Sequence, residues 1–215
     1  RLTPRVLELG HGYWTATSLA EILSPVLTRA SQELEQSCSA AVLDGPFLLY
    51  IARVHTERII RVNLDVGTRL PAFTTSMGRV LLADLPEDEA CALLAGAPRT
   101  PATEHTLTDV DALMAELARV REQGHAVVTA ELDAHLSSVA VPVRDAEGRV
   151  AVAINTALSL GPDHRDPGAR RAALRTGARV PAPRTPEVAA AVVQALPVLR
   201  AAADDAEAAL AALQR

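Results

Sequence analysis

The residues best placed to do chemistry lie between Gly67 and Arg79, in the run GTRLPAFTTSMGR. Gly67 and Pro71 punctuate the end of an apolar strand pattern. Thr74, Thr75 and Ser76 follow, and each is a residue type that caps a helix by accepting from a free backbone N–H. Val80, Leu81 and Leu82 then give that helix a buried side. Unpaired N–H groups and the helix dipole make such a terminus a seat for an anion, and the hydroxyls add donors for a carboxylate or phosphate. The same spacing also fits a helix that is merely well capped.

Other chemistry is poorly supported. The chain has no glycine-rich phosphate loop and no GxSxG, HExxH or CxxC. Its six histidines are scattered. His125 and His135 flank one short strand, but two ligands alone make no metal site, so neither a metal nor a cofactor is expected. Cys38 and Cys91 are isolated. A catalytic thiol would need a histidine partner and an electropositive setting.

These residues must be positioned by elements that the spacing predicts in order. Ser18 and Glu21 have capping-box spacing before a helix carrying Leu19, Ile22, Leu23, Val26, Leu27 and Ala30. Three strands are predicted over Ser39–Asp44, Phe47–Val54 and Arg58–Val66, the first two joined by Asp44-Gly45-Pro46. Helices follow from Thr75 to Asp84, from Pro86 to Gly96 and from Thr108 to Gln123, with Gly124 as a stop. Three more strands are predicted over His125–Ala130, Ser137–Arg144 and Arg149–Ala157, then a long helix from Pro186 to Leu213. This order of sequential strands and helices implies an α+β fold. The Gly-, Pro- and Arg-rich stretch 159–186 is expected to be a flexible insertion.

Two separated segments resemble the IclR family of transcriptional regulators: LPAFTTSMGRVLLADLP and, later, LSSVAVPVRDAEGRVAVAINTA. The resemblance runs over roughly residues 10–160. VNLDVGTRLPAF is most similar to the members that govern protocatechuate and β-ketoadipate catabolism. It implies a GAF-like domain, a six-stranded antiparallel sheet with helices on both faces. It also implies a winged helix-turn-helix domain upstream, absent from this chain, of which residues 1–14 would be the end of the linker and 15–215 the effector-binding and oligomerisation domain. Operator DNA would be contacted only through that absent domain. The implied partners are a small carboxylate effector, aromatic or a ring-cleavage product, and one or three further copies of the chain.

The family's pocket positions fall on Ser76 and Met77 at the helix start, Ser138 and Asn155 on the late strands, and Val128 and Ala157 nearby. Thr75 is added from its hydroxyl, and Arg69 as the nearest cation; Arg69 equally suits Asp65 or a neighbouring subunit. Leu64 and Phe73 are expected to line the side with Met77. Arg53 and Arg61 are expected to face solvent. Met77, Val128 and Ala157 stand where small-acid binders carry small or polar residues, which favours a ligand with more apolar surface. Two alternatives are a small GAF-fold enzyme such as a cysteine-dependent reductase, and a dimerisation domain with a vestigial pocket.

The chain is 215 residues long with a net charge of −5, and its cations are all arginine. Mild negative charge is a poor match for a nucleic-acid backbone. No apolar run is long enough to span a membrane, and cytoplasm is the simplest compartment.

Overall fold

The computed structural model describes residues 19–55, 64–134, 136–159 and 185–213. The described chain opens with α1 (Leu19–Leu34), followed by β1 (Cys38–Asp44) and β2 (Phe47–Val54). A short third strand, β3 (Arg69–Pro71), leads through a 3-10 turn (Ala72–Thr74) into α2 (Ser76–Asp84). Then come α3 (Glu87–Gly96), α4 (Val110–Gln123), β4 (Ala126–Thr129), β5 (Leu136–Arg144), β6 (Val150–Ser159) and α5 (Thr185–Leu213). The six strands form one antiparallel sheet in the order β3-β2-β1-β6-β5-β4. The α+β arrangement expected from the sequence is therefore present.

Alternation along the strands sends successive side chains to opposite faces. Val139, Val141 and Val143 on β5 and Val152 and Ile154 on β6 pack with Leu23 and Leu27 of α1 and Val192 and Leu199 of α5. The opposite face presents Ala140 and Ala153, against which Met77, Val80 and Leu81 of α2 and Leu113 and Leu117 of α4 are buried. Helices thus cover both faces, as expected.

One strand expectation is corrected. The third strand is Arg69–Pro71, paired with Phe47–Leu49, and Leu64–Val66 is not a strand; residues 56–63 lie outside the described residues. The backbone gives the reason. Gly67 has φ +90°, and the turn it makes brings Thr68 O to Tyr50 N and Gly67 N to Tyr50 O. Those bonds occupy β2 where a longer strand would have to pair. Proline sits comfortably on this outermost strand, where its missing N–H leaves no ladder bond unmade.

The arginine-rich stretch lies outside the described residues except at its ends, as does residues 1–14.

Candidate ligand recess

The recess is built on the junction between the 3-10 turn and α2. Thr75 is the N-cap of α2: its Oγ1 accepts from Gly78 N at 3.0 Å and donates to Ala72 O at 3.2 Å. This draws the first turn of the helix onto the 3-10 turn so tightly that a Cβ added to Gly78 would lie 2.1 Å from Ala72 O. Glycine is therefore required at 78 by close approach, although its φ is ordinary. Ser76 follows, fully buried, and its Oγ donates to Ser138 Oγ on β5 at 2.8 Å. That bond docks the start of α2 against the sheet.

The sheet supplies the floor in two cross-strand rows. In one, Arg53 of β2 lies opposite Ser39 of β1, and Ser39 lies opposite Asn155 of β6. In the next, Ala157 lies opposite Ser138, and Ser138 opposite Val128. The recess is lined by Ser39, Arg53, Ser138, Asn155 and Ala157 from this floor. Thr74 and Thr75 form one wall, Leu132 and Leu136 another, and Tyr50 and Leu64 a third. The recess has a cavity volume of about 30 Å³ and opens to solvent. That volume is more than the roughly 10–15 Å³ one water needs.

Its polar groups are arranged toward an anion and a hydroxyl. Arg53 Nη1 donates to Ser39 Oγ at 3.0 Å, and its Nε donates to His55 Nδ1 at 3.4 Å. Burial draws the guanidinium below its ordinary range, opposed by the neighbouring Tyr50 and Asp65, yet arginine stays protonated at any ordinary pH. Tyr50 is pushed up to about 12 by burial, so its phenol remains a neutral donor. Asn155 is 8% exposed, and its Oδ1 is enclosed with no hydrogen-bond donor among the described residues. A buried acceptor left unpaired costs about 1–3 kcal/mol, so this position calls for a donor.

The expected residues divide. Thr75, Ser138, Asn155 and Ala157 line the recess. Ser76 stands behind Ser138 as its donor rather than on the lining. Val128 is buried beside Ser138 in the adjoining strand. Met77 is fully buried in the core under α2, as is Phe73, so neither forms the side wall expected of it; Leu64 does.

Arg69 is a correction. It is half exposed at the sheet edge, 2.6 Å from Asp44 Oδ2 and stacked over Phe47; it does not line the recess. The cation on the recess is Arg53, expected to face solvent. The reason is a bulge: Ala40 pairs with Ala52 but Ala41 with Tyr50, leaving Ile51 as the extra residue. Tyr50 and Arg53, three positions apart, thereby reach the same face. Periodicity could not show this, though a serine and an arginine within two otherwise apolar strands were a signal. Leu132 was missed because a turn has no period, and Leu136 because it is the first residue of β5, where the strand leaves that turn. Arg61 and His135 lie outside the described residues.

Cys38 is fully buried, and burial holds its thiol up at about 11, an unreactive setting unlike that of a catalytic cysteine. His125 Nδ1 lies 3.1 Å from Gln123 O. No described helix is long and apolar enough to cross a membrane.

Residues 11–179 match the family model for the bacterial transcriptional regulator IclR C-terminal domain, and the chain belongs to that family. It is 45% identical over 161 residues to the Pca regulon regulatory protein of Pseudomonas putida, covering 74% of this chain and 55% of that protein. It is 31% identical over 158 residues to the Pca operon regulatory protein of Acinetobacter baylyi, covering 72% of this chain and 57% of that one. The chain thus spans little more than half the length of these relatives. Its fold matches that of an IclR homologue from Microbacterium hydrocarbonoxydans complexed with 4-hydroxybenzoate, with a TM-score of 0.76 at 24% identity over 98% of this chain and 75% of that one. Both relatives are named as regulatory proteins, and the matching family model is that of a transcriptional regulator.

Proposed function

We propose that this domain senses a small carboxylic acid, an aromatic acid or a product of its ring cleavage, in the recess between the sheet and the start of α2. The observation that carries the reading is the enclosed Oδ1 of Asn155, which has no donor among the described residues and lies in the same cross-strand row as Ser39 and Arg53. Arg53 and Ser39 take the carboxylate by a charge-assisted hydrogen bond. Asn155 accepts from a ligand hydroxyl, and Ser138 offers a second polar contact. Thr75 forms the wall at the helix start, and Ala157 leaves room above the floor. Ser76, Met77 and Val128 support the lining from behind. The names of the Pca relatives and the 4-hydroxybenzoate in a protein of the same fold support an aromatic-acid theme.

Signalling follows as a population shift. Two or four copies associate, and the ligand favours one arrangement of them. That arrangement sets the spacing of winged helix-turn-helix segments that lie outside this chain and contact operator DNA in the cytoplasm. The reading requires no metal, cofactor or membrane.

A thermal-shift panel of protocatechuate, 4-hydroxybenzoate, β-ketoadipate, pyruvate and glyoxylate tests it. An acid at 100 times its dissociation constant adds about 2.7 kcal/mol, or roughly 5–10 °C for a domain of this size. The shift is expected with an aromatic or dicarboxylic acid, lost in Arg53→Met and retained in Arg69→Met. A flat panel, or equal shifts in wild type and Arg53→Met, overturns the assignment.

A further inference from the structure

Arg79 carries a positive charge into the interior, its side chain only 3% exposed. It sits one turn into α2, beneath the recess but not on its lining. Its Nε donates to Phe73 O at 3.0 Å, and its Nη2 donates to Glu131 Oε2 at 2.6 Å. Phe73 immediately precedes Thr74 and Thr75, the wall at the helix start. Glu131 immediately precedes Leu132, the wall opposite. One guanidinium therefore binds the backbone at the foot of one wall and the Glu131 carboxylate at the foot of the other.

The surroundings favour a positioning part over simple neutralisation. Glu131 Oε2 also accepts from Leu107 N at 2.9 Å, and Thr106 Oγ1 donates to Glu131 O at 2.7 Å. Thr103 Oγ1 donates to Ala130 O at 2.6 Å, and Ala130 has φ +59°. A non-glycine residue in the left-handed region persists when its neighbours over-determine it. The turn after β4 is thus held from both sides, by Arg79 and by the loop between α3 and α4. Glu116 of α4 also approaches Arg79, but only to 3.8 Å, and it pairs with Arg119 at the surface. Glu116 balances the charge and touches neither wall.

We propose that the Arg79–Glu131 pair is a positioning clamp that fixes the width of the recess and thereby the affinity for its ligand. Holding both walls in advance removes an ordering cost that the ligand would otherwise bear. Its ligand arm rests on the sensing role above; its structural arm does not.

The test compares Glu131→Gln with Glu116→Gln. Each removes one buried carboxylate from the same arginine while keeping the side chain's shape and an acceptor oxygen. Hydrogen–deuterium exchange is followed in residues 72–76 and 130–134 without ligand, and protocatechuate binding by titration calorimetry. In Glu131→Gln both segments are expected to exchange roughly tenfold faster together, and protocatechuate to bind roughly tenfold more weakly. In Glu116→Gln melting temperature falls while wall exchange and affinity stay as in wild type. Unchanged wall exchange in Glu131→Gln, or the same exchange and affinity changes in both variants, overturns the clamp. If the wild type does not bind protocatechuate, the sensing role loses that effector and the exchange arm still decides the clamp.

Discussion

The two faces of the sheet are made by alternate residues of the same strands, yet they are built to different rules. On the α1/α5 side β5 and β6 contribute Val139, Val141, Val143, Val152 and Ile154. On the α2/α4 side the residues between them are Ser138, Ala140, Ala153, Asn155 and Ala157. Branched side chains fill the first face to its helices. Small and polar ones on the second leave a gap where α2 begins, and the recess occupies that gap. A cavity for a ligand is made here by withholding volume from one face while the other carries the packing. The two faces should therefore answer differently to substitution.

The largest effect is expected where the recess meets the backbone. Gly78→Ala places a Cβ 2.1 Å from Ala72 O, which no rotamer change can relieve. Either α2 lifts from the 3-10 turn or the turn unwinds, and the Thr75 cap is lost with it. Overpacking costs about 1–3 kcal/mol and occasionally more, and because backbone stands in the way here, urea denaturation should show the upper end of that range. A variant as stable as wild type would mean that the junction is far looser than its hydrogen bonds indicate.

The closed face should come next. Ile154 is fully buried on β6 among the α1 and α5 side chains. Ile154→Ala leaves a cavity costing roughly 2–4 kcal/mol, read again from urea denaturation. It should do so without changing the preference among acids, because Ile154 points away from the recess. A changed preference would join the two faces in one mechanical unit.

How much of this was legible in the sequence follows from the same contrast. Regular alternation and helical spacing located α1, α2, α3, α4 and α5 and five of the six strands, β2 with both ends. Thr75 was legible from its capping position, whereas Ser138, Asn155 and Ala157 came from the family's pocket positions carried onto the late strands; all four lie on the lining of the recess. What periodicity could not carry was irregular. The bulge at Ile51 turned Arg53 inward, the turn after β4 brought Leu132 to the recess, and Arg69 followed the edge strand to Asp44. Gly78 falls inside the predicted Thr75–Asp84 helix, but spacing gives no sign of its close approach to Ala72 O. The Arg79–Glu131 pair was not visible, since its partners are 52 residues apart and meet only through the tertiary fold.

The smallest stability effect is expected one residue from Ile154, on the other face. Asn155→Ala removes a buried carbonyl acceptor that has no donor among the described residues. Deleting an unsatisfied polar group also deletes its desolvation penalty, which offsets the lost side-chain contacts. The net change should lie within about 1 kcal/mol of zero, with stabilisation the more informative sign. Affinity for a hydroxylated acid should nevertheless fall about tenfold, the equivalent of one hydrogen bond of roughly 1.4 kcal/mol, while an acid without the hydroxyl loses little. Calorimetric titration of protocatechuate against benzoate separates the two. If Asn155→Ala instead destabilises the domain as Ile154→Ala does, with no change in affinity, then Asn155 belongs to the packing and the faces are not divided as their side chains suggest.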